Sequence, residues 1–147
     1  MQLTLKLASL VTLAVMAIAS PTSSRDVGAN IVSDAELDNW LRTTDADLTF
    51  VGGAKSPLAQ RNTLITRVVY CTQRSGALCG GRCSVYEGNS ICLNAPGTNC
   101  LMATTNVAFC NASGCGGTCR LFSHCETVLD ANFCFTPGTV SINVPFT

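Results

Sequence analysis

The sequence predicts a small disulfide-rich α+β fold, in which a short N-terminal helix precedes a duplicated cysteine-rich module of short strands, turns and one helix. Three observations support this prediction. All ten cysteines of the 147-residue chain lie between Cys71 and Cys134. A helix-start motif lies upstream of them. The cysteine region itself contains two similar copies of one residue pattern.

The N-terminus has the features of a secretory signal peptide. Lys6 is the sole charged residue among the first 19, and an apolar run follows it. This run is too short to cross a bilayer as a helix, and Ala17-Ile18-Ala19 fits the small-x-small cleavage rule. We therefore predict a signal peptide over residues 1–19 and a secreted, extracellular protein that begins at Ser20 and has no membrane attachment.

Residues 20–70 form the predicted N-terminal segment. Residues 33–36 match the capping box, in which a serine and a glutamate satisfy each other's backbone N–H groups. Apolar residues then recur at helical spacing. We predict a helix over residues 34–42 packing on the cysteine-rich core, strands over 48–51 and 65–70, and a short helix over 57–64. Removal of residues 20–61 as a propeptide remains an open alternative.

The predicted disulfide-stapled domain, residues 71–147, contains repeats at 71–100 and 110–139. The copies share a lone cysteine, a Cys-Gly-Gly-x-Cys motif, a cysteine-centred apolar triplet and a Pro-Gly-Thr motif. The triplet predicts a strand whose cysteine faces opposite to its neighbours. Pro-Gly predicts a type II turn, and paired glycines permit a backbone path closed to other residues.

The second copy carries an insertion that contains Cys125. Its apolar residues fall on one face at helical spacing: Leu121, Phe122, Cys125, Val128 and Leu129. This periodicity predicts a helix over residues 120–129.

An even number of cysteines in an oxidising compartment predicts five disulfides rather than a zinc site. The cysteines involved are Cys71, Cys79, Cys83, Cys92, Cys100, Cys110, Cys115, Cys119, Cys125 and Cys134. Each half holds five, so at least one bridge must join the halves. Cys100 and Cys125 have no counterpart in the repeat, and we predict that they pair. The Cys-Gly-Gly-x-Cys cysteines should bond outward, because a three-residue loop yields little chain-entropy stabilisation. Pairing within each copy stays open.

The net charge and the set of potential catalytic residues argue against several classes of function. Signal cleavage leaves eight basic and nine acidic side chains, too weak a field for nucleic-acid binding. Acidic residues 34–47 precede basic residues 55–82, and we expect the two groups to attract each other. His124 is the single histidine, and the carboxylates Glu87, Glu126 and Asp130 form no recognisable pair. We therefore expect no enzyme, no cofactor and no metal.

Several motifs together resemble small cysteine-rich secreted proteins of mushroom-forming (basidiomycete) fungi. The motifs are Trp40-Leu-Arg-Thr-Thr-Asp-Ala46, Cys79-Gly-Gly-Arg-Cys83, Pro96-Gly-Thr-Asn-Cys100, Cys115-Gly-Gly-Thr-Cys119 and Phe133-Cys-Phe-Thr-Pro-Gly-Thr139. The resemblance covers nearly all of the chain after the signal peptide. It implies a fungal extracellular protein, but it brings no activity and no catalytic residues.

The sequence therefore predicts a secreted interaction protein, effector-like or associated with the cell wall, that is monomeric and binds an extracellular protein or a polysaccharide. Rigid loops on a disulfide scaffold suit this role. Candidate loops are residues 73–77, 86–90 and 111–114, and candidate binding residues are Arg74, Arg82 and Tyr86. The alternatives are a protease inhibitor that presents an arginine and a carbohydrate-binding module that uses Trp40, Tyr70 or Tyr86. Asn111 begins an N-glycosylation sequon, Asn-Ala-Ser.

Overall fold

The computed structural model describes residues 30–52 and 65–145. These residues form one α-helix and one sheet with the strand order β1-β3-β2-β4-β7-β5-β6. The elements are α1 (Asp34–Thr43), β1 (Asp47–Val51), β2 (Thr66–Ser75), β3 (Leu78–Gly88), β4 (Ile91–Ala103), β5 (Ala108–Cys110), β6 (Cys119–Leu121) and β7 (Cys134–Val144). Three single 3₁₀ turns lie at Ser113–Cys115, Phe122–His124 and Asp130–Asn132. The fold is therefore more β-rich than the predicted α+β class.

The two sequence repeats occupy equivalent places in the sheet. The first copy supplies β2, β3 and β4 in the order β3-β2-β4, and the second supplies β5, β6 and β7 in the order β6-β5-β7. Strands β4 and β7 pair antiparallel at the centre. Cys134 lies opposite Leu101, and Cys92 lies opposite Asn143. The two units thus face each other about the β4–β7 pair, and β1 adds to the first unit alone, parallel to β3.

Alternation along the strands gives the sheet two buried faces. On β2, Val68 and Tyr70 enter one core, while Val69 and Cys71 enter the other. We call the first the loop-side core, because the turn residue Phe122 packs there, and the second the helix-side core, because Leu37 of α1 packs there. A sheet buried on both faces needs a cover on each, and α1 and the 104–128 connections supply these covers.

Helix α1 begins at a complete capping box. The Ser33 hydroxyl accepts a hydrogen bond from the Glu36 N–H (3.2 Å), and the Glu36 carboxylate accepts one from the Ser33 N–H (2.7 Å). Because these bonds stabilise the charged form, they lower the pKa of Glu36. The Trp40 ring meets the Phe133 ring edge-on with centroids 5.0 Å apart, which packs the helix against the helix-side core.

Arg67 of β2 ties the helix to the sheet through three carboxylates. Its guanidinium lies 3.3 Å from Asp34, 2.7 Å from Asp38 and 3.4 Å from Glu87, while the arginine side chain is 13% exposed. Burial alone would lower the pKa of Arg67, but hydrogen bonds and the nearby negative charges raise it above its ordinary value. The expected attraction between the acidic segment and the basic stretch thus occurs at Arg67.

Five disulfides join the ten cysteines, and the described residues contain no free thiol. The bridges are Cys71–Cys83, Cys79–Cys100, Cys92–Cys115, Cys110–Cys119 and Cys125–Cys134. The predicted bridge between the halves is confirmed as Cys92–Cys115, and every Cys-Gly-Gly-x-Cys cysteine bonds outward as predicted. Cys71–Cys83 and Cys110–Cys119 occupy matching positions in the two copies.

The predicted Cys100–Cys125 bridge is wrong. Cys100 lies in the helix-side core, whereas Cys125 packs against the loop-side core, on the opposite face of the sheet. Two cysteines separated by a sheet cannot approach to the Cα distance of about 4–7 Å that a disulfide needs. Cys100 bonds Cys79 instead, and Cys125 bonds Cys134.

Two local predictions also require correction. Residues 120–129 form no helix: after β6, a single 3₁₀ turn buries Phe122, while Leu121 and Val128 are half exposed. Cys119 is bonded to Cys110 in the β5–β6 hairpin and Cys125 is bonded to Cys134 of β7, so the two ends of this segment are fixed to different strands and a continuous helix does not form. The Pro-Gly motifs keep the positive φ of a type II turn at Gly97 and Gly138, but they lie inside β4 and β7 and shift the register instead of reversing the chain.

The remaining local predictions concern two strands, a second helix and membrane attachment. The strand predicted over residues 48–51 is confirmed within β1, and the strand predicted over residues 65–70 is confirmed from Thr66 onward within β2. The helix predicted over residues 57–64 lies outside the described residues. In the described part of the chain, no helix has the length and apolar content to cross a bilayer.

We predict that Arg67→Ala lowers the free energy of unfolding by about 1–3 kcal/mol, because it leaves three carboxylates close together without their shared cation. Urea denaturation followed by tryptophan fluorescence measures this change, since Trp40 reports on helix docking. The control is Arg42→Ala, an exposed arginine in the last turn of α1, which should change stability by less than about 0.5 kcal/mol. Equal effects of the two substitutions would contradict the assigned role of Arg67.

Candidate functional site

A cleft of about 600 Å³ opens between the β5–β6 hairpin and the segment before β7 together with the start of β7. The hairpin wall is formed by Phe109, Asn111, Thr118 and Arg120, and the opposite wall is formed by His124, Glu126, Thr127, Phe135 and Pro137. The volume is within the range of small-molecule and peptide-side-chain sites. It is the candidate functional site of the described residues.

The hairpin wall is a two-by-two patch of side chains on one face of a two-stranded ribbon. Phe109 pairs with Arg120 across the strands. Two residues further along each strand, the Asn111 N–H donates to the Thr118 carbonyl (3.1 Å), and the Thr118 N–H donates to Asn111 Oδ1 (2.9 Å). Residues two apart on a strand share a face, so these four side chains point together into the cleft.

Covalent and hydrogen bonds fix the hairpin in place. Cys110–Cys119 joins its two strands between the two rungs. The loop beyond is tied to β4 by Cys92–Cys115, and to β7 by Ser141, whose hydroxyl accepts from the Cys115 N–H (2.9 Å) and donates to the Ala112 carbonyl (2.6 Å). The wall is therefore preorganised by its bridges instead of by a large local core.

The opposite wall is held by the Cys125–Cys134 bridge and by a hydrogen bond from the Phe135 N–H to the Thr127 carbonyl (2.9 Å). Arg120 and Glu126 form an ion pair between the walls, with Nη1 and Oε1 3.1 Å apart. Both side chains are more than half exposed, so the pair contributes little to stability and can open for a ligand.

Phe135 connects the cleft to the first candidate loop. The Arg74 guanidinium lies over the Phe135 ring, 4.2 Å from its centroid. The same guanidinium donates from Nε to the Gly76 carbonyl (2.8 Å). One face of the ring is thus occupied by a cation, and Arg74 is engaged within the β2–β3 hairpin.

The other sequence-predicted binding residues lie outside the cleft. Arg82 is exposed on β3, opposite Asp47 of β1. Tyr86 is 6% exposed, and its hydroxyl donates to the Asn89 carbonyl (2.6 Å). Burial raises the pKa of Tyr86. Tyr86 is therefore a core residue, not part of a displayed loop, because its ring packs in the loop-side core.

The three aromatic residues considered for sugar binding are all packed inward. Tyr70 is 8% exposed and Tyr86 is 6% exposed, and Trp40 is half buried against Phe133. The aromatic residues that line the cleft are Phe109 and Phe135 instead. The alternation of Phe109 with Asn111 is the one sequence signal that could have indicated a shared surface.

The chemistry of the lining is mixed but balanced in charge. It combines two aromatic rings, an amide, two threonine hydroxyls, an imidazole and one Arg–Glu pair. His124 lines the cleft, and within the described residues no hydrogen bond joins it to Ser123 or to a carboxylate. No cluster of three or more potential metal-ligating side chains occurs in the same ranges.

We predict that Gly117→Ala disturbs the cleft more than Gly114→Ala does. Both glycines have φ near +70°, but a Cβ at Gly117 would collide with the Asn111 side chain, whereas a Cβ at Gly114 meets open space. The shared backbone strain should cost about 1 kcal/mol in each variant, and the collision should add about 1–3 kcal/mol at Gly117. Urea denaturation of both variants measures this difference, and equal destabilisation would contradict the close packing of Gly117 on Asn111.

Comparison of the chain with protein-family models, with curated proteins and with solved structures finds no match. What the protein does is therefore inferred from its disulfides and from the cleft.

Proposed function

We propose that this chain is a secreted extracellular interaction protein that binds its partner in the cleft between the β5–β6 hairpin and the start of β7. The observation that supports this proposal most directly is that disulfides fix both walls of the cleft. Each wall is pinned by a disulfide of its own, Cys110–Cys119 or Cys125–Cys134. Such a site is preorganised for binding and resists unfolding outside the cell.

Among partners, the lining favours a polysaccharide. Aromatic rings supply apolar faces on which sugar rings can pack, and the amide, hydroxyl and ionic side chains supply hydrogen bonds for sugar hydroxyls. The single Arg–Glu pair adds no net charge, which suits a neutral ligand. Cell-wall polysaccharides are therefore the first class of ligand to test. A carbohydrate-binding module is therefore the favoured form of the proposed function.

The protease-inhibitor alternative has weaker support. Residues 73–75 pair with residues 78–80 up to the β2–β3 turn, which leaves no extended, unpaired segment to enter a protease. Arg74 is also held by the Gly76 carbonyl and by the ring of Phe135. To enter the specificity pocket of a protease, Arg74 would have to break both contacts.

We predict that Arg120→Ala and Glu126→Ala each weaken polysaccharide binding by about 10-fold, because each removes a charge-assisted hydrogen-bonding group from the rim. Both residues are exposed, so the fold should persist. The measurement is depletion of the purified protein from solution by insoluble chitin, β-glucan and cellulose.

The matched control is Arg82→Ala, an exposed arginine outside the cleft, which should leave binding unchanged. Equal loss in this control would place the site elsewhere. Failure of the wild-type protein to bind any of the three polymers would exclude these polysaccharides, and inhibition in a parallel protease panel would favour the alternative.

A further inference from the structure

We propose that Asn111 carries an N-linked glycan whose first sugar packs on the ring of Phe109 and becomes part of the cleft lining. The observation behind this inference is the sequon Asn111-Ala112-Ser113, which the structure places in the hairpin wall. The inference does not depend on the partner proposed above, because it concerns a modification of this chain.

The position of Asn111 is open to modification. Its side chain is exposed, and its Oδ1 accepts the Thr118 N–H at 2.9 Å. Gly117 lies against the same oxygen so closely that a Cβ there would collide with it. The oxygen therefore faces the hairpin, and Nδ2 makes no hydrogen bond within the described residues. The nitrogen that receives a glycan is the free end of the amide.

The reaction is a group transfer supplied by the secretory pathway. A lipid-linked diphosphate oligosaccharide donates its glycan to Asn111 Nδ2. The bond between the first sugar's C1 and the phosphate oxygen breaks, an N-glycosidic C–N bond forms, Nδ2 loses one proton, and the lipid diphosphate leaves. Both the donor and the transferase belong to the host, and a predicted signal peptide directs the chain to them.

Strand geometry then decides where the first sugar lies. Phe109 and Asn111 are two residues apart along one strand direction, since the Asn111–Thr118 rung continues the β5–β6 pairing. Their side chains share one face, with Cα atoms about 7 Å apart. Both line the cleft. An N-acetylglucosamine on Nδ2 is thus beside an aromatic ring, on which the apolar face of a sugar packs favourably.

The experiment uses the full chain secreted from a eukaryotic host. An endoglycosidase trims the glycan to one N-acetylglucosamine, and the apparent Tm is compared with that of Ser113→Ala, which keeps Asn111 but lacks the sequon. We expect the single sugar to raise Tm by about 2–4 °C. In a Phe109→Leu background, the same comparison should show a rise of less than half that size.

A second sequon provides the matched control. Ile91→Thr in the Ser113→Ala chain creates a sequon at Asn89, in an exposed turn with Glu87 two residues before it. A sugar there should leave Tm unchanged. If Phe109→Leu does not fold, NMR keeps the proposal testable, because ring protons of the sugar on Asn111 should shift upfield relative to the sugar on Asn89.

Three results would overturn the proposal. The first is secretion of the chain with Asn111 unmodified. The second is a Tm rise of the same size in the wild-type and Phe109→Leu backgrounds, or no rise in the wild type. The third is identical sugar proton shifts at Asn111 and Asn89. Because Phe109 lines the cleft used in both proposals, polysaccharide depletion is measured on the Ser113→Ala chain, which carries no glycan, so that failure of this inference and failure of the proposed function are distinguished.

Discussion

The antiparallel pairing of β4 with β7 is the constraint on which the rest of the molecule depends. These central strands contribute residues to both buried faces of the sheet. Three of the five bridges attach to them, through Cys92, Cys100 and Cys134. The remaining two close the β2–β3 and β5–β6 hairpins. The disulfides thus close the hairpins and join them to one central pair, which is how a small chain stabilises a sheet with two thin cores.

This arrangement explains which parts of the fold could be predicted from sequence. In the repeat alignment, Cys71 and Cys83 of the first copy match Cys110 and Cys119 of the second, and this match identified the equivalent hairpins. The alignment could not identify the partner of Cys100, because it shows which positions correspond but not which face of the sheet each position occupies. The face that a side chain occupies depends on whether its position along the strand is odd or even, and on register shifts such as the one at Pro96-Gly97. A one-residue shift moves a cysteine to the other core.

The same reasoning applies to the cleft. Sequence spacing placed Asn111 on a surface loop, and its alternation with Phe109 was visible in the chain. Phe135 could not be assigned to the same surface, because it lies in β7, and long-range contacts that the sequence does not show bring its wall to the hairpin: the Cys125–Cys134 bridge, the hydrogen bond from Phe135 to Thr127 and the pairing of β7 with β5. Tyr86 illustrates the opposite error. Its flanking Glu-Gly-Asn residues have turn composition, yet its ring turns inward to fill the loop-side core.

The most direct test of this account is the disulfide connectivity of the purified protein, obtained by mass spectrometry of unreduced proteolytic peptides. Cys92 joined to Cys115 and Cys100 joined to Cys79 would support the paired three-stranded units, with the other three bridges closing within the hairpins and at the start of β7. Cys100 joined to Cys125 would contradict it, because those residues lie on opposite faces of the sheet.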